Sequence, residues 1–467
     1  MPLNSLAQSV PVQNRRRKKT QYSLFAVFYG LSLTAFLFVA LGQATDAIGD
    51  YPLEILLCFI IGGLSIYGQL LSLRREASIH FVSFIFCFLF MSAAPIVQIG
   101  ADIDPVFRID HWALWAVVNA LAFTAIGVFI TYRVKKPDDK MSSRPIVAPS
   151  GYNYFSVFLV TAVTSGIAIT LYRDSLFTNR EDFSAAVIAL FGDQITALLA
   201  KTFLSVLPFF GAIIGLRSSI ANRQKIWIVL FSLIMLAVAM INNPLINPRY
   251  QLAGLGFFAI DYMFYGKRTK LLAVMLIVGV LIAPALQAVR TSDSISESSI
   301  TEDTGLFSNT LLSMDYDAFR LSCYTMLTVD KAGISWGSNL LGAALFFVPR
   351  SWWPEKPPQT SWVVYETMTH TYDVGTSNLS TPLMAEGYYA FGWVGALSIS
   401  ILYWWVVSRI TLLSRKDAYS WTFLSRCVFA GLVLIFLRGT LIVGVSAVVG
   451  SLVAAAIPAI LIRRRLK

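Results

Sequence analysis

Apolar runs about as long as a bilayer is thick recur along this 467-residue chain, and lysine and arginine collect on every second connection between them. A helix needs about 17–25 mainly apolar residues to cross hydrocarbon, because only a helix pairs all its backbone polar groups within one segment. Twelve such runs are read, near 22–42, 52–72, 79–99, 112–132, 152–172, 200–217, 226–242, 250–265, 270–289, 384–408, 421–437 and 441–462. If Arg15 to Lys19 starts inside, every even-numbered span should return to a basic connection. The returns are Arg74-Arg75, then Arg133, Lys135, Lys136, Lys140 and Arg144, then Arg217, Arg223 and Lys225, then Lys267, Arg268 and Lys270, then Arg409, Arg415 and Lys416, and finally Arg463 to Lys467. The opposite connections at 43–51 and 100–111 carry few basic residues. Both termini are therefore expected on the cytoplasmic side.

Composition agrees: 56% of residues are hydrophobic and only 13% charged, about half the charge of an ordinary soluble domain. The net charge of +11 lies in clusters flanking apolar runs, as anchors do, so a nucleic-acid partner is not expected. Cys58, Cys87 and Cys427 fall inside apolar runs and Cys323 stands apart, with no spacing for a metal site or a disulfide framework. No metal or cofactor is expected. The first apolar run is too long for a signal-peptide core and no small-residue cleavage site follows it, so it is read as an uncleaved span.

The chain thus divides into a basic cytoplasmic tail (1–21), spans one to nine (22–290), an outer segment (291–383), and spans ten to twelve with a basic tail (384–467). The stretch 182–199, with Glu181 just before it and Asp182, Asp193 and Gln194 within it, reads as an interfacial helix or an extension of span six. The outer segment is too long for a plain loop and must hold structure. Residues 291–305 read as a flexible linker, and 306–329 have helical periodicity with a polar patch of Asp315, Asp317 and Arg320, which a solvated helix face would also explain. Residues 338–348 are too short to span and suit a half-helix dipping into the outer leaflet.

That segment holds ten Asp and Glu against four Lys and Arg, so its cations need a reason other than orientation. Arg350 and Lys356 lie in FVPRSWWPEKPP. Arg249 stands in INNPLINPRY, where two prolines break the helices and leave backbone amides to line a cavity; Arg290 ends span nine; Arg438 sits in a turn too tight to reach bulk water and needs a partner. Arginine suits a phosphate through its planar fork, although one near an interface can also snorkel to headgroups. Several cations on one side would suit a diphosphate. Arg426, nearer the cytoplasmic face, reads as structural. Glu386 opens span ten beside Tyr388 and Tyr389 and is either a general base or a partner for one of these arginines. His370 is the one histidine of the outer segment and could transfer protons near neutral pH, or be incidental. Trp352 and Trp353, with Tyr388 and Tyr389, either anchor at the interface or stack on sugar faces.

FVPRSWWPEKPP, followed some thirty residues later by MAEGYYAFGWVGAL and then by the Arg438-Gly439-Thr440 turn, resembles the pattern of Wzy-type oligosaccharide repeat-unit polymerases, the O-antigen polymerase family. The resemblance implies an all-α polytopic protein of the bacterial inner membrane with its site on the periplasmic side. It implies transfer of a growing glycan from undecaprenyl diphosphate onto a new lipid-linked repeat unit, with a separate chain-length regulator as partner. Arg350, Lys356, Glu386 and Arg438 carry over by matching motif, whereas Arg249, Arg290 and His370 rest on placement. An O-antigen ligase shares the donor and the broad layout. A lipid-linked oligosaccharide transporter or flippase predicts paired inverted repeats and polar residues at mid-membrane depth, and spans one to five read as nearly free of the latter. A membrane acyltransferase would want a histidine at membrane depth.

Overall fold

The computed structural model describes residues 9–135, 153–178, 180–191, 194–247, 249–264, 311–312, 316–369, 379–413 and 420–463. Its regular elements there are all helical, and eight helices are long and apolar enough to cross a membrane. That is the make-up of a polytopic helical membrane protein. In chain order the helices are α1 (Ser9–Gly42), α2 (Pro52–Arg75), α3 (Ser78–Gly100), α4 (Trp112–Arg133), α5 (Tyr154–Tyr172), α6 (Arg180–Phe191), α7 (Gln194–Ala221) and α8 (Lys225–Ile241). They continue as α9 (Arg249–Met263), α10 (Ala318–Ala332), α11 (Ser338–Ala344), α12 (Thr360–Thr369), α13 (Leu383–Leu413), α14 (Trp421–Arg438) and α15 (Leu441–Arg463).

The eight membrane-length helices are α2, α3, α4, α5, α7, α13, α14 and α15, while Ala26–Gly42 of α1 and Lys225–Ile241 are apolar but shorter. Arg15 to Lys19, expected in a tail, lie on α1 in one helix with the first apolar run. The stretch 182–199 divides: its first part lies on a separate helix, α6, and from Gln194 it extends the helix of span six, α7. The expected span at 270–289 and the linker at 291–305 lie outside the described residues.

Helix α3 is the hub. In its apolar window 89% of residues are buried, against 22% for α5. Pro95 has no N–H and its ring clashes with the carbonyl four residues back, so the helix widens into a π turn over Leu89–Ala93 and continues. The described residues form three apolar cores, a small one where the end of α5, α6 and the end of α8 meet, and two larger ones. One joins α1–α4 to α10, α12 and α13, with Trp404 of α13 fully buried against Phe84 and Phe123. The other joins α5, α7, α8, α9 and α15 around Phe210, Phe231 and Phe258. Helix α14 belongs to both, giving Ala430, Val433 and Leu437 to the first and Phe423, Cys427 and Val428 to the second. Against α9 its backbone comes so close that a Cβ on Gly431 would overlap the carbonyl of Gly254.

Polar residues inside the first spans are more numerous than the sequence reading allowed. Gln69, His80, Ser83, Asn119 and Thr124 are all buried. They bond within the bundle: Gln69 accepts from Tyr29 and donates to the Phe84 carbonyl, His80 Nε2 meets Ser408 Oγ at 3.0 Å, and Ser83 meets Tyr403 at 2.6 Å. Apolar neighbours on both sides hide such residues in a hydropathy profile, and their partners lie on other helices.

Contacts between helices define two ends. At the basic end Arg75 lies over the Tyr132 ring, the Asn153 amide bonds the Ile462 carbonyl, and Asp261 holds both Ser78 (2.9 Å) and Arg426 (3.0 Å). Arg426 is thus a buried structural arginine, and beside it the Arg217 guanidinium stacks on Tyr262 and Phe423. The opposite end gathers the 98–108 stretch, α10, α11, α12, the start of α13 and the α14–α15 turn.

Helix α13 is not one span. Phe391 (φ −146, ψ 27) and Gly392 (φ 62, ψ −145) break it, so Leu383–Ala390 is a short helix folded back on the longer one that follows. The fold-back needs bare backbone: a Cβ on Gly387 would lie 2.6 Å from the Gly395 carbonyl oxygen, and one on Gly395 would overlap the Gly387 carbonyl. The expected span at 384–408 therefore begins at Trp393, and its first residues form a support for Glu386.

Candidate functional site

Glu386 is 2% exposed and sits where three elements converge on the short helix. Its Oε2 accepts from Asn339 Nδ2 of α11 (2.8 Å) and from Thr360 Oγ1 of α12, and its Oε1 accepts from the Leu441 amide at the first turn of α15 (3.0 Å). Asn339 also donates to the Glu386 carbonyl (3.1 Å), and its own Oδ1 accepts from Ser335 (2.8 Å). A helix N-terminus favours negative charge, and three donors replace much of the water a buried carboxylate gives up. The two roles read for Glu386 were base and partner of an arginine. Here it is partnered by neutral donors, and in this arrangement its oxygens face protein rather than an open cleft.

Beside it, the two-residue turn after α14 sets Arg438 against α10. Arg438 Nη2 bonds Asp317 Oδ1 at 3.0 Å, both side chains being largely buried. This is the partner that the tight turn called for. Ser380 reaches the same carboxylate oxygen at 3.5 Å, and the buried hydroxyl of Thr381 has no hydrogen-bond partner among the described residues.

One turn along α10, Arg320 pairs with Asp104 Oδ2 at 3.5 Å, while Asp104 Oδ1 accepts from Tyr324 (2.6 Å) and from the Val106 amide (2.9 Å). Gln98 at the end of α3 donates to the carbonyls of Leu311 and Tyr316, each at 3.0 Å. The polar face of Asp317 and Arg320 is therefore a buried pairing surface and not a solvated one; Asp315 lies outside the described residues.

Lys356 is 8% exposed, and its ammonium donates to the carbonyls of Phe346 (2.8 Å) and Val348 (2.9 Å). Burial and the neighbouring Arg350 push it below the usual lysine range. In this arrangement Lys356 braces the turn that Pro349 opens, with two of its three N–H donors taken by those carbonyls. Arg350 is exposed, and one guanidinium nitrogen bonds the Lys356 carbonyl at 2.9 Å. Trp352 is 82% exposed, whereas Trp353, Tyr388 and Tyr389 are half-buried, Tyr388 edge-on to Trp393 and Tyr389 bonded through its carbonyl to Ser335.

Among the other candidates, Arg249 opens α9 but its side chain is outside the described residues, as are Arg290 and His370. The asparagines before Arg249 take up local backbone groups. Asn243 Oδ1 accepts from Leu245 (2.9 Å) and Ile246 (3.3 Å), and Asn247 Nδ2 bonds the Ile241 carbonyl (3.0 Å). Among the described residues no group of three His, Cys, Asp or Glu could hold a metal ion.

Asp104, Asn339 and Thr360 were missed by the sequence reading. Asp104 precedes a proline, a turn signal with a carboxylate attached, and Asn339 is the one amide in an otherwise apolar stretch. No family model, curated protein or solved structure matches the chain.

Proposed function

We propose that this protein is a membrane glycosyltransferase that polymerises oligosaccharide repeat units carried on undecaprenyl diphosphate, at the end opposite its basic connections. That end would face the outside of a bacterial inner membrane. The observation that carries the reading is a convergence. The three stretches that resemble Wzy-type polymerases lie far apart in sequence, yet Glu386 of the second is bonded to Leu441 just past the Arg438 turn, and to Asn339 and Thr360 on either side of the Trp-Pro-rich turn.

In the reaction the bond between the sugar anomeric carbon and the diphosphate oxygen breaks, and the electron pair leaves with the diphosphate. The acceptor hydroxyl oxygen bonds that carbon and its proton passes to a base. The leaving charge calls for arginine, and preorganised cations stabilise developing charge best where water is excluded. Arg350 is open for that role, and Arg438 would exchange or share Asp317 as the diphosphate arrives. Glu386 holds the frame of the site. Proton removal falls to a group that a sugar hydroxyl can reach, of which Glu366 is one, exposed on α12 and accepting from Trp362 Nε1 at 2.8 Å; His370 stays a second candidate from the sequence alone. Trp352 is free to stack on a sugar face.

The test is reconstituted protein given purified lipid-linked repeat units, wild type beside Arg350→Ala and Glu366→Gln. A ladder of products from wild type, lost in Arg350→Ala with the fold intact, supports the reading. Transfer of glycan to a lipid A core acceptor instead points to a ligase. Movement of unconsumed repeat units across a liposome wall points to a transporter, and either outcome removes the polymerase.

A further inference from the structure

Helix α11 is inside out by the standards of a water-soluble protein. Its inward residues are Asn339, bonded to Glu386, with Gly342 and Ala343, while Leu341 (52% exposed) and, just beyond its end, Phe347 (67%) point outward. Trp336 ahead of it is 77% exposed and held at φ +51, a conformation that bulky residues rarely adopt. Water would penalise all three. Lipid would not.

Two further observations identify what covers them. The apolar face continues without a break onto a membrane-length helix: Gly337 packs under the ring of Phe391, and from there Val394 (73% exposed), Leu397 (42%) and Ile401 (52%) form an outward stripe along α13. Two carbonyls of the turn after α11, those of Phe346 and Val348, are also satisfied from within, by Lys356. Backbone can meet hydrocarbon only when it is paired in this way. Beyond the apolar residues come Arg350 and Trp352, a cation and an indole of the kinds found at headgroup depth.

We propose that Trp336, Leu341 and Phe347 insert into the acyl region of a phospholipid bilayer, with Arg350 and Trp352 at the level of the lipid phosphates. The side of the Glu386 frame that α11 forms is then walled by lipid. A lipid-linked ligand would reach that side from within the bilayer, without passing through water.

Spin labels test this in full-length protein reconstituted in phosphatidylglycerol–phosphatidylcholine vesicles. The four native cysteines are buried, and labelled wild type gives the background. Labels go on Leu341→Cys and Phe347→Cys, with Val394→Cys as the lipid reference and Glu366→Cys as the water reference. Collision with oxygen at both test sites should exceed collision with a water-soluble nickel chelate by a ratio within twofold of Val394→Cys and at least fivefold above Glu366→Cys. Ready access of the chelate to Leu341→Cys or Phe347→Cys overturns the proposal by putting the face in water. Poor access of both reagents overturns it by putting the face under protein. The readout needs no turnover, so it stands whether or not the polymerase reading does.

Discussion

Removing the Glu386 carboxylate should loosen the first turn of α15 and α11 together. In Glu386→Ala, Asn339 Nδ2, Thr360 Oγ1 and the Leu441 amide all lose their acceptor. The losses are unequal. The Thr360 hydroxyl can rotate, and Asn339 keeps the Glu386 carbonyl at 3.1 Å, so the Leu441 amide bears the largest one. A buried donor without a partner costs about 1–3 kcal/mol, and one fully and one partly stranded donor bring the total to about 3 kcal/mol. That is roughly a 150-fold change in a local opening equilibrium. Hydrogen exchange read by mass spectrometry on peptides covering Ser338–Ala344 and the start of α15 should accelerate by about that factor, while α5, which carries none of the three donors, stays unchanged. Glu386→Gln keeps the shape and one acceptor oxygen and should lie between wild type and alanine. Exchange in Glu386→Ala within twofold of wild type at both places, with polymerisation abolished, would refute the argument and return Glu386 to the role of proton acceptor.

Arg438→Met should cost about 3–5 kcal/mol, the range for breaking a buried pair, because it strips Asp317 of its guanidinium. The double variant Asp317→Asn/Arg438→Met should recover more than half of the lost melting temperature at a fixed scan rate. Gly431→Ala drives a methyl into the carbonyl of Gly254 on α9, where backbone cannot step aside. It should cost at least about 2 kcal/mol, towards the top of the overpacking range. Gly63→Ala, which meets nothing within 4 Å, should be neutral or slightly stabilising in the same melt. Tyr324→Phe removes the 2.6 Å bond to the Asp104 carboxylate and should lower stability by about 1.5–3 kcal/mol, with no loss of folded yield.

The spanning helices were legible because one property, apolar length, fixes both the run in the sequence and the helix in hydrocarbon. Residues 79–99 were read and Ser78–Gly100 was found. The break at Phe391-Gly392 was not legible, since both residues are apolar and the run continues through them. Arg438 could be recognised as needing a partner from its tight turn, but the partner is 121 residues away, and several acidic residues lay on the same side. Lys356 shows a different limit. A lysine among tryptophans and prolines reads as a ligand site, yet two nearby carbonyls left bare by the Pro349 turn take its ammonium first. Asn243 and Asn247 behave likewise, meeting the local backbone that their own prolines disrupt. Short polar side chains beside proline answer local needs before distant ones.

Helix α14 supplies residues to the two larger apolar cores, and it follows most of their other helices in the chain. This orders assembly in time. A ribosome delivers α1–α5 and α7–α9 to the membrane long before Trp421–Arg438, so during synthesis two partly built bundles stand side by side with a vacant slot in each. Insertion of α14 fills the slot in each, and α15 after it closes the second. A chain stopped before residue 421 would leave two incomplete halves, and the membrane quality-control machinery would meet exposed Gly254 and Phe258 as the mark of an unfinished protein.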